Sequence, residues 1–336
     1  MNENGPGGKF VIGIDLGGTF VKFAYARSNG EIIMRDKIPT RVSHGADVIL
    51  SDIAKKIDEL IKSNGHARED VIGCGIGCPG TVDADFRKVI FAPNLKWNDV
   101  DVKGKLEETA GLSVYIDNDA NLAALGEYWL GAGRGVKDFV CVTLGTGIGG
   151  GIVVNGKLLR GVNNNAAEIG HMTIDFNGTQ CGCSNYGCWE KYGSASALVA
   201  RVLNFLSINK NQRSKIPSII FELCSNDLSK LNCELIFEAA RRGDPIAKSA
   251  VNQQIEFTAI GLINLIYIFN PNKIILSGGL SAASEALVKP VIETVFKKAP
   301  KVSLRDLEIV VSNLGNDAGS MGAIYLVLNE KGLAGI

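Results

Sequence analysis

The apolar positions of this chain fall into short runs, separated by glycine turns and by longer segments in which apolar residues recur at helical spacing. Short apolar runs bounded by turn residues predict strands, and helical spacing predicts helices. The predicted strands cover 10–15, 20–26, 31–34, 71–76 and 113–116, and the predicted helices cover 46–64 and 103–110. Because strands alternate with helices, we expect an α/β fold with a mixed sheet.

A similar pattern returns in the second half of the chain. Residues 139–154 again predict a strand, a glycine turn and a strand, and Asn155-Gly156 predicts a hairpin turn. Segments 10–33 and 139–159 are therefore weak structural repeats, and each opens a domain. A third glycine turn lies at 277–280, a last helix is predicted over 317–328, and residues 203–231 indicate no chemistry.

Two glycine-rich segments match nucleotide motifs only superficially. Gly145-Thr-Gly-Ile-Gly-Gly150 fits G-x-G-x-x-G, but that fingerprint needs a following helix, and here an apolar run and a hairpin turn follow. Gly151–Lys157 begins like a Walker A loop, but Leu158 stands where the motif needs Ser or Thr for magnesium. Neither a Rossmann site nor a Walker site is therefore predicted.

The composition is that of a globular chain without a dominant charge. Its 336 residues predict about two domains, and 46 % of them are apolar, enough for sizeable cores. The formal net charge is zero, which argues against a nucleic acid or an anionic membrane held by bulk charge. No signal peptide or membrane-spanning stretch is evident. We expect a soluble cytoplasmic protein whose thiols stay reduced.

Three of the eight cysteines lie close together. Cys181, Cys183 and Cys188 share one glycine-containing loop, and His171 lies ten residues upstream of the first. Zinc takes four ligands in a tetrahedron, so we predict a Cys3His zinc site, with a reduced loop and an unrelated histidine as the alternative. The scattered cysteines are expected to be buried and inert: Cys74, Cys78, Cys141, Cys224 and Cys233.

Two glycine turns could bring backbone N–H groups close to an anion. Asp15-Leu-Gly-Gly-Thr19 and Leu144-Gly-Thr-Gly147 each place a hydroxyl among glycines, at matching places in the two repeats. The first turn adds Lys22, and Asp15 could hold hydrated magnesium. Either turn alone is an ordinary tight turn, but the pair favours binding of nucleotide phosphates.

A polar cluster follows the strand at 113–116. Asp117-Asn-Asp-Ala-Asn121 leads into an apolar helix, and Asp and Asn are favoured as helix caps. One cap needs one such residue, whereas this stretch offers four. Asp119 or a neighbour therefore suits a general base that accepts a hydroxyl proton during phosphoryl transfer.

Together these motifs resemble those of the ROK family of sugar kinases and repressors, and within it the bacterial glucokinases. The resemblance covers nearly the whole chain, from Val11 to about Leu328. Its motifs are Asp15-Leu-Gly-Gly-Thr19, Pro79-Gly-Thr-Val-Asp83, Asn118-Asp-Ala-Asn121, Leu144-Gly-Thr-Gly147, Glu168-Ile-Gly-His171, the cysteine loop (181–190) ending in Glu190, and Leu276-Ser-Gly-Gly279.

The resemblance implies the actin-like ATPase fold, in which two ribonuclease-H-like domains with mixed sheets flank a cleft. Residues 1–116 and 317–336 would form a small α/β domain, and 117–316 a large α/β domain with the zinc loop. The implied activity is ATP-dependent phosphorylation of the 6-hydroxyl of glucose. The implied state is a cytoplasmic homodimer or homotetramer with neither nucleic-acid nor membrane partners.

The resemblance also assigns roles to single residues. Asp119 is the implied general base, and Asp15 is implied to hold Mg²⁺ through water. The implied sugar-binding residues are Gly80, Asn94, Asn118, Asp119, Glu168, His171 and Glu190. The implied ATP contacts are Asp15, Gly17, Gly18, Thr19, Lys22, Gly145, Thr146 and Gly147, with Gly278 and Gly279 beside the nucleoside. The implied ligands of a structural zinc are His171, Cys181, Cys183 and Cys188.

Two positions depart from the family pattern. Ser184 replaces the glycine that usually follows Cys-x-Cys, and Ala167 replaces the glycine that usually precedes Glu168. Neither change removes a ligand. Both could shift the loop and hence the sugar preference.

Other functions stay open at this point. The substrate could instead be N-acetylmannosamine, N-acetylglucosamine, allose or fructose, because the hydroxyl-binding residues are shared. A repressor of this family would carry a helix-turn-helix before the first phosphate turn, and fewer than a dozen residues precede the strand that leads into that turn, so we expect a kinase. A sugar-binding protein without catalysis would not need Asp119.

Overall fold

The computed structural model describes residues 9–208 and 218–334, and its contacts divide the chain into two compact units. The first unit comprises Met1–Cys141, Gly150–Ala167 and Ser312–Ile336, and the second comprises Val142–Gly149 and Glu168–Val311. The domain boundaries expected from the sequence, 1–116 with 317–336 and 117–316, stay a prediction. Part of the segment 203–231 lies outside the described residues.

The described strands and helices begin and end as follows. The strands are β1 (Phe10–Leu16), β2 (Phe20–Arg27), β3 (Ile32–Pro39), β4 (Val71–Cys78), β5 (Thr81–Val82), β6 (Lys88–Ala92), β7 (Trp97–Asp101), β8 (Val114–Asn118), β9 (Phe139–Leu144), β10 (Ile148–Val154), β11 (Lys157–Leu158), β12 (Lys273–Ser277) and β13 (Glu308–Val311). The helices are α1 (Ala46–Ser63), α2 (Val102–Ala110), α3 (Asp119–Leu130), α4 (Glu190–Gly193), α5 (Ala195–Ile208), α6 (Ile219–Leu223), α7 (Cys233–Arg241), α8 (Pro245–Phe269), α9 (Lys289–Lys298) and α10 (Ala318–Glu330). The strands and helices predicted up to residue 116 are confirmed, although β3 continues to Pro39.

The two large sheets share one strand order. The first is ordered β3-β2-β1-β4-β8 and the second β11-β10-β9-β12-β13, so corresponding strands occupy corresponding places. In the first sheet, β1 pairs antiparallel with β2 and parallel with β4. In the second sheet, β10 pairs antiparallel with β11 and β12 pairs parallel with β13. The predicted mixed sheet and the predicted repeat are both confirmed.

A tight hairpin joins β10 to β11. Asn155 and Gly156 have φ of 53° and 73°, as a two-residue type I′ turn requires, so the predicted hairpin is confirmed.

A three-stranded sheet, β5-β6-β7, was not predicted. Its strands are short, and turn residues interrupt the alternation of apolar and polar positions on which strand prediction depends.

The central strands of the first sheet, β1 and β4, are buried on both faces. Successive residues of β1 point to opposite sides, so Ile12 and Ile14 belong to the core beneath α1 and α2, whereas Val11 belongs to the core with α3 and α10. α10 approaches α3 closely at Gly322, where a Cβ would lie 1.6 Å from the carbonyl oxygen of Leu122. The first turn of α3, which carries the predicted base, is thereby fixed against a rigid layer.

The second unit has a helical core. α5, α6, α7 and α8 share one buried apolar cluster. Trp189 is completely buried against the backbone of Gly261 in α8, and its indole N–H donates to the carbonyl oxygen of Phe257 at 2.8 Å. Because Trp189 stands between Cys188 and Glu190, this contact fixes the end of the cysteine loop.

Within the described ranges, no helix has both the length and the apolar character needed to cross a bilayer.

Candidate active site and metal site

The first glycine turn, between β1 and β2, carries the ATP contacts predicted in the first unit. Asp15 and Lys22 are opposite each other in the β1–β2 pair, and their side chains form an ion pair at 3.2 Å. The tip, Gly17–Thr19, reaches the surface, and the N–H of Thr40 donates to the carbonyl oxygen of Thr19 at 2.8 Å. An exposed glycine turn beside a carboxylate and an ammonium can bind an anion together with a hydrated cation.

The second glycine turn lies between β9 and β10 in the second unit. The N–H of Gly145 donates to the carbonyl oxygen of Gly147 at 3.0 Å, and Thr146 is exposed between them. Gly147 has no room for a side chain, because a Cβ would lie 2.1 Å from Oε2 of Glu190. A strand follows these glycines, as predicted, so the turn cannot present a helix N-terminus to a pyrophosphate.

A cavity of about 680 Å³ opens beside this second turn. Its walls include Gly145, Thr146 and Gly279, whose involvement the sequence predicted, while Gly278 lies directly against the backbone of Leu144. The sequence missed the contribution of α7, which has no recognisable motif; the helix and its N-cap residue supply Asn232, Cys233, Glu234 and Phe237. A cavity of this size, with backbone, aromatic and carboxylate groups, suits a nucleoside.

Asn118 and Asp119 lie where β8 ends and α3 begins. Asn118 caps α3, since its Oδ1 accepts from the N–H groups of Ala120 and Asn121 at 2.9 and 3.1 Å. Its Nδ2 donates to the carbonyl oxygen of Gly80 at 3.0 Å. The structure therefore brings together two of the predicted sugar-binding residues, and the capping role falls to Asn118.

Asn94 is exposed in a single turn of 3-10 helix, Pro93–Leu95, after β6. Gly80 packs against the backbone of Phe91 and Ala92, two residues before Asn94. Asn94, Gly80 and Asn118 therefore lie on neighbouring segments of the first unit.

The four predicted zinc ligands form one cluster in the second unit. The ligand atoms of His171, Cys181, Cys183 and Cys188 all lie within 4.8 Å of one another. Nδ1 of His171 is 3.6 Å from Sγ of Cys181, and the Sγ atoms of Cys183 and Cys188 are also 3.6 Å apart. Tetrahedral zinc, with Zn–S about 2.3 Å and Zn–N about 2.0 Å, places thiolates about 3.8 Å apart and thiolate and ring nitrogen about 3.5 Å apart. The donor set and its spacing fit zinc.

The loop that carries these cysteines is fixed by backbone contacts at its base and near its tip. Thr173 and Cys188 form one β-bridge, and Gln180 and Tyr186 form another.

Burial, followed by hydrogen bonds with Cys183 and Cys181, raises the pKa of Cys188 to about 12. Without a metal this sulfur is therefore a thiol, so metal binding must release its proton.

Two carboxylates flank the cluster along the chain. Oε2 of Glu190 accepts from the N–H of Ile148 at 3.0 Å, which ties the start of α4 to the start of β10. Glu168 is exposed, yet partial desolvation by the surrounding protein raises the pKa of its carboxyl; His171 opposes this effect and the charge of Glu190 adds to it. Ionised carboxylates of this kind can each accept hydrogen bonds from sugar hydroxyls.

The two positions that depart from the family pattern share one backbone conformation. Ser184 has φ of 74° and Ala167 has φ of 65°. Both angles lie in the left-handed region, which favours glycine, the residue expected at each place. Both residues are therefore strained. An effect of either residue on sugar preference stays a prediction.

Replacing Ser184 by Gly should stabilise the protein by about 0.5–1 kcal/mol, because relief of the left-handed strain exceeds the chain entropy that glycine adds to the unfolded state. Thermal unfolding of the metal-loaded protein measures this effect. Ser51→Gly, within α1, is the control and should instead destabilise by about 0.5–1 kcal/mol. An S184G protein less stable than the wild type would show that the Ser184 side chain outweighs its backbone strain.

Comparison with known proteins places this arrangement in a family. The model of the ROK family matches residues 11–330. The chain belongs to the ROK family. The predicted membership is confirmed, and with it the predicted fold: this ROK protein has the actin-like ATPase fold of its family, in two domains.

The relatives of this ROK protein include kinases and repressors. A glucokinase of Halalkalibacterium halodurans is 38 % identical over 325 residues, which are 96 % of each chain. A xylose repressor of Caldicellulosiruptor bescii is 30 % identical over 320 residues, which are 95 % of this chain and 78 % of the repressor. A solved ROK family glucokinase from Streptomyces griseus, in complex with glucose and AMPPNP, matches with a TM-score of 0.81 and 34 % identity, over 94 % of this chain and 98 % of that one. The roles of single residues in this chain stay predictions.

Proposed function

We propose that this ROK protein is an ATP-dependent hexokinase that phosphorylates the 6-hydroxyl of glucose. The observation that carries the proposal is the likeness, over 94 % of the chain, to a glucokinase whose structure holds glucose and AMPPNP. The sequence of this chain also retains a carboxylate for the base, carboxylates and amides for sugar hydroxyls, and two glycine turns for phosphates. These are the groups that phosphoryl transfer to a sugar requires.

ATP would bind through its phosphates to the turns at Gly17–Thr19 and Gly145–Gly147, with its nucleoside in the cavity lined by α7. Backbone N–H groups in glycine turns can approach phosphate oxygens closely because no side chain intervenes. Asp15 would hold Mg²⁺ through water, and Lys22 would balance the charge of Asp15 and the phosphates. When bound, Mg²⁺ neutralises charge that develops on the transferred phosphoryl group.

Asp119 is proposed as the general base that receives the proton of the 6-hydroxyl. In a loose transition state the proton leaves late, so an ordinary carboxylate suffices when its geometry is right. The packing of α3 against α10 and the cap by Asn118 hold its position. The proposed sugar ligands are Gly80, Asn94, Asn118, Glu168, His171 and Glu190.

A structural zinc is proposed for the Cys3His cluster. Nδ1 of His171 faces Cys181, so a metal bound at Nδ1 leaves Nε2 for a sugar hydroxyl, and one residue serves both predicted roles. Glu168 lies three residues before this ligand, and Glu190 lies two residues after Cys188. One metal would therefore fix both carboxylates, which adds preorganisation rather than Lewis acidity.

The decisive experiment is ADP release from Mg-ATP against a panel of sugars, using protein whose zinc content is known. The panel contains glucose, N-acetylmannosamine, N-acetylglucosamine, allose and fructose. We expect the highest kcat/KM with glucose. A higher kcat/KM with another sugar would support the kinase activity but would assign it a different substrate.

A sugar-responsive regulator is the second candidate, favoured by the xylose repressor among the relatives. Such a protein would bind a sugar in calorimetry without releasing ADP. If zinc is present and no sugar of the panel is turned over, the regulator rather than the kinase would be the function of this protein. The cytoplasmic location and the homodimer or homotetramer stay predictions.

A further inference from the structure

We propose that Arg160 is a positioning residue for the sugar side of this reaction. Its guanidinium holds the segment 160–167 against Asp117 at the end of β8, immediately before the proposed base. The inference rests on the proposed function, because it concerns the placement of that base and of the sugar-binding segments. Arg160 lies outside the sequence motifs that carry the phosphate turns, the proposed base, the sugar ligands and the cysteine loop.

Asp117 is a buried carboxylate with a full set of hydrogen bonds. Its side chain is 1 % exposed, and its Oδ2 accepts from Nη2 and Nε of Arg160 at 2.7 and 3.2 Å. Its Oδ1 accepts from the N–H of Asn118 at 2.7 Å and from Nδ2 of Asn121 at 3.0 Å. A buried charge is costly unless it is paired and hydrogen-bonded, and among these donors Arg160 supplies the positive charge.

Asn121 indicates that the orientation of Asp117 matters. Because its Nδ2 donates to Asp117, its amide cannot be turned around without facing Asp117 with a second acceptor. Its Oδ1 is then buried, and within the described part of the chain no donor reaches it. An unsatisfied buried acceptor is unfavourable. The first turn of α3 nevertheless keeps this acceptor, because the same amide orients the carboxylate of Asp117, two residues before Asp119.

The segment that Arg160 begins is attached to β5 and to the residue that follows it. Nδ2 of Asn164 donates to the carbonyl oxygen of Asp83 at 2.9 Å. Oγ1 of Thr81 donates to Oδ1 of Asn165 at 3.1 Å. The segment is therefore held at its start by Arg160, and near its end by Thr81 of β5 and by Asp83, which follows that strand.

These contacts close a ring around the start of α3. From Gly80 the ring passes to Asn118, whose Nδ2 donates to the Gly80 carbonyl at 3.0 Å, and through Asp117 to Arg160. From Arg160 it returns along 160–165 to Thr81. The ring contains two proposed sugar ligands and borders the proposed base, and the residue after Ala167 is Glu168, a third ligand. Removing Arg160 opens the ring at its one charged link.

The test compares Arg160→Met and Arg160→Lys with the wild type and with Arg87→Met. Arg87 is the matched control because its Nη2 and Nε also donate to one carboxylate oxygen, Oδ2 of Asp101, at 2.7 and 3.1 Å. That pair lies in the same unit but outside the ring. The readouts are kcat, the KM for glucose, the KM for ATP and thermal unfolding.

We expect R160M to lower kcat/KM for glucose about 100-fold, the scale of a small misplacement of reacting groups. The KM for ATP should stay within about threefold, because none of the hydrogen bonds that form the ring involves a residue of the proposed phosphate turns or of the nucleoside cavity. The kcat/KM of R160K for glucose should lie between the values of the wild type and R160M, since lysine keeps the charge but loses the fork of two donors. R87M should match the wild type in all kinetic constants.

Loss of Arg160 alone leaves Asp117 buried without a counter-charge, which can prevent folding. The double variant Asp117→Asn/Arg160→Met removes both charges and opens the ring at the same link. A folded R160M, R160K or double variant whose kcat and KM for glucose equal those of the wild type overturns the inference, and so does an equal rise in the KM for glucose and the KM for ATP. Wild-type turnover is measured first: its absence would overturn the proposed function itself, whereas normal turnover with unaffected Arg160 variants would overturn only the inference.

Discussion

Replacing Asp119 by Asn should abolish turnover while the protein stays folded and still binds sugar. An amide cannot accept the hydroxyl proton, and a positioned general base contributes about 10²–10⁴-fold, so kcat should fall by that factor. Asparagine has nearly the same size as aspartate, and Asn118 rather than Asp119 caps α3, so the helix should still form. Steady-state ADP release gives kcat, and calorimetry with glucose gives binding.

Asp85→Asn is the matched control for this variant. Asp85 is an exposed acid of the same unit, so its loss should change neither kcat nor glucose binding. Retained turnover in D119N would exclude Asp119 as the base. Loss of glucose binding together with turnover would instead give Asp119 a role in holding the sugar.

Replacing Cys181 by Ser should remove the metal and weaken use of the sugar. A serine hydroxyl is not among the ligands that zinc favours, and Cys181 is buried beside Nδ1 of His171, so a substitute ligand cannot easily enter. Zinc content should fall below one ion per chain. Because the metal would fix both Glu168 and Glu190, kcat/KM for glucose should fall about 10–100-fold, a typical cost of a disturbed metal site. Metal analysis and the sugar kinetics check both expectations.

Cys224→Ala controls for loss of a thiol in the same unit. Cys224 is buried in the apolar cluster of α5 to α8, away from the metal ligands, so C224A should keep its zinc. Chelation of the wild-type protein should reproduce the C181S kinetics. A wild-type protein that contains no metal, or a C181S protein with full zinc, would leave the alternative of a reduced loop with an unrelated histidine.

The order of strands along the chain could be predicted because its signals are local. Apolar runs end at glycine turns, so the hairpins of β1–β2 and β9–β10 are visible in the sequence, and their recurrence predicted the repeat that the two equal sheet orders confirm. The β5-β6-β7 sheet was missed, because short strands between turns carry too few alternating positions. The helices of the second unit were also missed in part, since the segment 203–231 mixes helical spacing with polar breaks.

By itself, the sequence determined the residue types of the candidate site and its short-range groupings. The cysteines of one loop and the pair Asn118-Asp119 are close in space because they are close along the chain. Only the tertiary structure decided which distant groups meet: the amide of Asn118 on Gly80, Glu190 on the turn at Gly147, and Arg160 on Asp117, 43 residues apart. Such contacts follow from how helices and sheets pack rather than from local propensity, so no short sequence motif indicates them.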